Sequence, residues 1–463
     1  MTVDTGITLS AFSNKPSIHN QLEHNSLLLK SRFYNVDITM VHWQLKDLIC
    51  ASSNSNNIYY PYDKQLMKLN FDDSNSIELT KFDTSPRCLK EKDGLIVIGA
   101  EINSNINNNN NNNSNNSNNI SSRRGLFGLF NENTNYLENK IVGNLINNDV
   151  SIYKLSNNSY KSIICNNDQN LYLLDINNNG INSKSETKIN LGMPLNHSSL
   201  SPDQKNLITV GDSPKIILLH PMEENLKNIN SKTIISTNYD SGFSIDWNQS
   251  SQLFSVCFQE GINQIYDIRN TTHPIHEIYS TRKSQQNGAF RVTTFTKGTD
   301  DFLFISEHQG RIHMIDTRNF NNHTIILLPK QSYDKSTNSF NQPITKSYNE
   351  VLDLDFESSH TTTTPSSSTQ LYHPQLPTHA HQTEHTLKNA SSYNNNLKKG
   401  ALNYNVQIQD DQYYLNSDLN VCGLSILNTL NDQNSVAIGT QDGLICWEID
   451  SWKRRCFPSC QYA

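Results

Sequence analysis

One pattern recurs along this chain at a nearly fixed spacing. Three strand-like runs, separated by a polar turn and then a tight turn, occupy residues 197–221, 242–270, 291–319 and 421–450. The third run of each closes on a bulky apolar residue followed by a polar one: Leu219-His220, Tyr266-Asp267, Ile315-Asp316 and Trp447-Glu448. A weaker copy over 151–176 closes on Leu174-Asp175. The polar members at 175, 220, 267 and 316 lie 45, 47 and 49 residues apart. Between 316 and 448, removing an insertion of roughly 85 residues leaves one more such unit.

A unit slightly longer than 40–45 residues, with four short strands, marks a β-propeller. A four-stranded sheet cannot cover both its faces alone. Arranged radially, each apolar face meets the next, and closing the ring leaves only short edges. A pair of β-sandwiches is the competing all-β reading, but it gives no reason for a constant interval. Two further units fit residues 41–83 and 85–145, so the fold class expected is all-β, a WD-repeat-like propeller of about seven blades. Gly261, Gly310 and Gly443 fall between the second and third strands, where a hairpin needs a positive φ. An N-terminal strand within 33–39 is expected to pair into the last blade and close the ring. Long helical periodicity is missing, residues 41–49 being the one candidate.

The domain plan expected is an N-terminal extension at 1–30, a propeller over 31–450 and a C-terminal tail at 451–463. Two stretches interrupt the propeller. Residues 103–119 are nearly pure Asn and Ser, too polar to offset their ordering entropy, and are expected to be a disordered insertion. Residues 331–419 are expected to be largely a floppy loop with an ordered island near 350–356. The Asn runs also explain a mean hydropathy of −0.61.

Composition narrows the function. A net charge of −7 offers no basic stripe for nucleic acid. No run approaches the roughly 18 apolar residues of a membrane helix, and the N-terminus has no signal-peptide pattern. Eight dispersed cysteines, mostly within apolar runs, fit a reducing compartment, the cytosol or nucleus.

Chemistry is sparse. There is no G-x-S-x-G, P-loop or H-E-x-x-H pattern, and no cofactor or metal site is expected. Asp267-Ile268-Arg269 and Asp316-Thr317-Arg318 read as strand-end polar groups rather than charged sites. The histidines over 373–385 are irregularly spaced, and Cys456 with Cys460 lacks a second pair, so neither reads as a metal centre. Within residues 121–130 (SSRRGLFGLF), Arg123-Arg124 before a Leu/Phe cluster could be a docking segment, but Leu126–Phe130 reads as the next blade strand in preference.

The tail carries more information. After the last strand come Trp452, Lys453, Arg454 and Arg455, then Phe457, Tyr462 and a final Ala463. A closed propeller needs none of them. Trp452, Arg454, Arg455, Phe457, Tyr462 and Ala463 are candidate partner-binding residues, docking in a groove of another protein. The competing reading folds the tail back on the propeller, with its arginines paired to local carboxylates.

From Val41 the sequence runs VHWQLKDLI, then IYYPYDKQLMKLN, SPRCL and GLIVIGA; near its end it runs IGTQDGLICWEIDSWKRRCFPSCQYA. These segments resemble a family of fungal WD-repeat proteins with a short C-terminal domain of unknown function. That family includes a yeast substrate receptor of the GID (CTLH) ubiquitin ligase. The resemblance implies a tail bound to a ligase scaffold and a propeller face turned to substrate. Gly-His and Trp-Asp dipeptides are both missing, so the side-chain network they support is not expected. The function expected is a non-enzymatic protein-interaction scaffold. The alternatives are a scaffold of vesicle or RNA machinery and a propeller hydrolase.

Overall fold

In the computed structural model the described residues are 27–41, 47–105, 121–156, 159–177, 180–222, 225–334, 336–360, 411–428 and 434–456. They form seven antiparallel blades. Blade 1 uses Cys50–Ala51, Asn57–Tyr62, Gln65–Asn70 and Asn75–Lys81. Blade 2 uses Cys88–Lys92, Leu95–Asn105, Ser121–Asn131 and Tyr136–Ile141. Blade 3 begins with Asn147–Ser156, Ser159–Asn166 and Asn170–Asn177, and Thr187–Asn190 is its main outer strand. Blade 4 holds Leu195–Leu200, Leu207–Gly211, Lys215–Met222 and Asn225–Ser236. Blade 5 holds Gly242–Trp247, Leu253–Phe258, Ile262–Asp267 and His276–Tyr279. Blade 6 holds Phe290–Phe295, Phe302–Glu307, Arg311–Asp316 and His323–Leu327, with Ile344–Ser347 added outside. Blade 7 joins Val421–Asn428, Asn434–Thr440 and Gly443–Ile449 to Leu28–Tyr34 from the other end of the chain.

The ring is closed. The first strand of every blade contacts the first strand of the next, and blade 7 returns to blade 1. The fold is therefore a seven-bladed β-propeller, as the interval predicts. The closing strand is Leu28–Tyr34, with Phe33 opposite Ile445 and Tyr34 opposite Leu444. It starts earlier than the 33–39 window, because the chain leaves the sheet after Tyr34 and crosses to blade 1. Of the possible helix over 41–49, Val41 and 47–49 are irregular, and 42–46 lie outside the described residues.

Each of the seven seams has its own apolar cluster, and neighbouring residues of one strand serve different seams. Phe302, Phe304, Ile312 and Met314 face blade 7, while Leu303, Ile305 and Ile315 face blade 5. In blade 3, Ile164 faces blade 2, whereas Ile163 and Cys165 face blade 4. The period-two alternation of a strand thus fills both faces, which is why these strands read as unbroken apolar runs. Cys50, Cys88, Cys165, Cys257, Cys422 and Cys446 are buried among them as thiols, outside any disulfide.

Strand polarity defines two faces. Turns between second and third strands and the blade-to-blade connections lie on one, called the upper face here. The remaining turns lie on the lower face. Gly261 and Gly310 take φ of 77° and 70° in upper-face turns. A Cβ on Gly310 would also stand 2.6 Å from the Ser417 carbonyl oxygen.

Both expected insertions open on the upper face. In blade 2 the arms of the hairpin pair as far as Asn105 with Ser121, so Ser121 onward is indeed strand. Residues 106–120 lie outside the described residues. The second stretch is more ordered than the island at 350–356. It contains a small hairpin (Tyr333–Asp334 with Ser339–Phe340), strand Ile344–Ser347, helix α1 (Tyr348–His360) and helix α2 (Asp411–Leu415). Helix α1 begins with a capping box: Ser347 Oγ accepts from the Glu350 N–H, and the Glu350 carboxylate accepts from the Ser347 N–H at 2.7 Å. Val351, Tyr414 and Leu415 then pack on Ile325 and Leu327. Residues 361–410, with the histidines of 373–385, lie outside the described residues.

Candidate functional site

Two places stand out, one on each face. On the upper face a cleft of about 510 Å³ opens between blades 5, 6 and 7. Thr281, Arg282, Gln285 and Asn287 reach it from the blade 5–6 connection, and Gln309 and Arg311 from the turn of blade 6. Leu352, Asp355 and Phe356 of α1 and Leu415–Asp418 after α2 form the opposite side.

Its floor is a buried charge network. Glu307 is fully buried and accepts from Ser280 Oγ at 2.6 Å, Arg282 Nε at 3.0 Å and Arg282 Nη2. Burial alone would raise its carboxyl. The Arg282 guanidinium, the His313 hydrogen bond and the Arg311 charge outweigh that and hold it well below the usual carboxylate range. An ionised carboxylate only accepts, so His313 Nε2, 3.0 Å from Glu307, carries the proton. His313 Nδ1 then accepts from His323 Nε2 at 2.7 Å, and the His323 ring stacks on Tyr348 of α1. Burial pushes His323 down to about 2. Arg311 is 1% exposed and binds Asp355 with both terminal nitrogens, at 2.6 and 2.8 Å. This pair ties α1 to the blade 6 turn. Both arginines are thus turned inward, held by Glu307 and Asp355.

The upper mouth of the central channel is also polar. Inner strands of blades 3 to 7 share a bulge at their first residues, which turns Asn148, Asn196, Phe243, Arg291 and Cys422 out of register. The Asn148 amide donates to the Leu195 carbonyl, and the Asn196 amide to the Gly242 carbonyl, linking successive blades. Lys90 Nζ pairs with Asp47 at 2.5 Å. Burial raises Asp149 to about 7 and, with the Lys90 charge, lowers His197 to about 4.

The lower face holds the root of the tail. Helix α3 (Ser451–Cys456) leaves the last strand and is fastened to blade 6. Ser451 Oγ donates to Asp300 at 2.5 Å. Arg454 donates through Nε to the Asp300 carbonyl at 2.9 Å and through Nη1 to Asp316 at 2.8 Å, and lies over the Phe302 ring. Trp452, by contrast, is 77% exposed, more than any other large apolar side chain among the described residues. Of the candidate tail residues, the structure therefore places Arg454 on the chain's own blade and Trp452 in solvent. Arg455 belongs to α3, but its side chain lies outside the described residues, as do Phe457, Tyr462 and Ala463.

Asp267 pairs with Arg269 at its own strand end, as expected. Asp316 instead takes Arg454, and Arg318 takes Asp301. Among the described residues no cluster of His, Cys, Asp and Glu could hold a metal, and no helix is long and apolar enough to cross a membrane. The cleft was not among the sites read from sequence.

Architecture and site together define a seven-bladed β-propeller, a closed ring with a cleft on its upper face and a fastened helix on its lower one. Residues 288–327, which make up nearly all of blade 6, match the family model of an uncharacterised protein domain, DUF2415. The chain is 28% identical over 438 residues to an uncharacterized protein of Saccharomyces cerevisiae, YLR149C, covering 71% of this chain and 59% of that one. It thus spans under two thirds of that relative's length. An uncharacterized protein of Schizosaccharomyces pombe, C4G3.03, is 23% identical over 313 residues, covering 65% of this chain and 82% of that one. A chain in the crystal structure of a mitotic checkpoint complex superposes with a TM-score of 0.49 at 9% identity, over 97% of this chain and 98% of that one.

Proposed function

We propose that this protein is a non-enzymatic substrate receptor of a multisubunit ubiquitin ligase of the GID type, acting in the cytosol or nucleus. The lower face attaches to the ligase through the tail, and the upper face is left for the protein to be modified. The observation that carries the reading is the contrast within α3. Arg454 and Ser451 fix the helix to blade 6, while Trp452 stands 77% exposed beside them. Exposed tryptophans on fixed supports are the side chains that dominate protein interfaces. Resemblance at both ends of the ordered chain to a family that includes a GID receptor is what supports a ligase as the partner.

The test is a pull-down from cells with the full chain, the chain lacking 452–463, and Trp452→Ala. Ligase subunits are expected with the first and should be strongly reduced with the other two. Equal recovery with all three would remove the tail from the proposal. Recovery of vesicle-coat or RNA-processing subunits in their place would replace the ligase with another assembly.

A further inference from the structure

The upper-face cleft has chemistry of its own. One wall is apolar: Leu352 and Phe356 lie four residues apart on α1, 41% and 66% exposed, with Leu415 behind them. Side chains at this spacing share one helix face. The facing wall is built from carboxamides, Gln285, Asn287 and Gln309, with Asn416 at the rim. Carboxamides carry donors and acceptors together, so they match the alternating N–H and C=O groups of an extended backbone. A volume of about 510 Å³ falls within the usual range for a bound ligand.

Charge decides what kind of segment fits. The two arginines offer little to a ligand. Arg282 is 6% exposed and spent on Glu307, and Arg311 is 1% exposed and spent on Asp355. The charge that faces outward is the carboxylate of Asp418, exposed on the rim. The two ion pairs cancel, so the cleft has an apolar wall, a hydrogen-bonding wall and one exposed carboxylate, Asp418, at its rim.

We infer that this cleft is a docking site for an extended segment of a partner protein that carries a bulky apolar side chain next to a lysine or arginine. The apolar side chain lies against Leu352 and Phe356, the backbone runs along the carboxamide wall, and the cation meets Asp418. The inference draws on the proposed function only in taking the ligand to be a protein.

The experiment uses the full chain and an array of short peptides, acetylated and amidated so that their ends are uncharged. A central Leu-Lys pair in varied flanks is compared with Leu-Glu and Ser-Lys in the same flanks. Leu-Lys peptides are expected to bind at least about tenfold more tightly than either control. Phe356→Ser and Asp418→Lys change exposed positions and should leave the melting temperature in place. Each should abolish the preference, and Asp418→Lys should turn it toward Leu-Glu. Equal binding of the three peptide sets, or a preference that survives both substitutions, would overturn the inference. Binding of neutral oligosaccharides that is lost in Phe356→Ser, without peptide binding, would also overturn it. The two proposals fail separately: deleting 452–463 should not affect the peptide preference, and Asp418→Lys should not affect ligase recovery.

Discussion

The two faces of the ring solve the same problem, holding a helix against blade 6, in different ways. On the upper face α1 is held by Arg311 on the part-exposed Asp355, with the buried pair of Glu307 and Arg282 beside them. On the lower face α3 is held by Arg454 on Asp316 and by Ser451 on Asp300, with Asp300, Asp316 and Ser451 buried. A buried pair is expensive to break, because removing one partner leaves a charge stranded in a low-dielectric interior. The upper pair has a second buried pair, Arg282 on Glu307, behind it, whereas the lower clasp is one ion pair and its hydrogen bonds. The upper helix is therefore built as part of the ring, and the lower helix as something fastened onto it.

The largest effect that sharpens this contrast is expected from Glu307→Gln. It removes the charge that pairs Arg282 and turns one of the two oxygens that accept from Arg282, Ser280 and His313 into a donor, and should cost about 3–5 kcal/mol in denaturant unfolding. A cost under about 1 kcal/mol would mean that the upper network is no tighter than the clasp. Next comes Asp149→Asn, at the channel mouth. Burial raises the Asp149 carboxyl to about 7, far above its unfolded value. Its ionisation therefore opposes folding, and wild-type stability should fall as pH rises from about 4 through 7. The asparagine variant escapes that loss. It should gain about 2 kcal/mol over wild type by pH 8 and little at pH 4, read from paired melts across pH.

Arg454→Ala should cost about 1–2 kcal/mol and speed amide exchange in α3 while leaving α1 protected. Protection lost equally in both helices would erase the distinction between the faces. The smallest effect on stability belongs to Trp452→Ala. At 77% exposure it should shift stability by less than about 0.5 kcal/mol, with its consequence visible only in partner recovery.

The ring was legible in the sequence because a blade must bury both its faces at every repeat. Ile163 with Ile164, and Leu207 with Ile208, show that demand as adjacent apolar residues, and the Gly261 and Gly310 turns punctuate it. The root of the tail was half legible. Arg454 was foreseen as either a docking residue or a partner for local carboxylates, and Asp316 was seen only as a strand end. Nothing local could show that they meet, because 138 residues separate them. The cleft was not legible. Arg282, Glu307, Arg311 and Asp355 form no motif, and ring geometry alone brings them together. The capping box at Ser347 and Glu350 was the one local sign that a helix would start there.

Strand Gly443–Ile449 lies between Asn434–Thr440 on one side and Leu28–Tyr34 on the other, and the tail continues directly from it. Mechanical load applied to the tail would first strip the Arg454 clasp and then act along a strand laced on both edges. Shearing it free means breaking two ladders at once. A machine dragging on this end would meet one of the strongest grips in the molecule, whereas traction from the opposite terminus would peel away a single outer strand and spring the ring open.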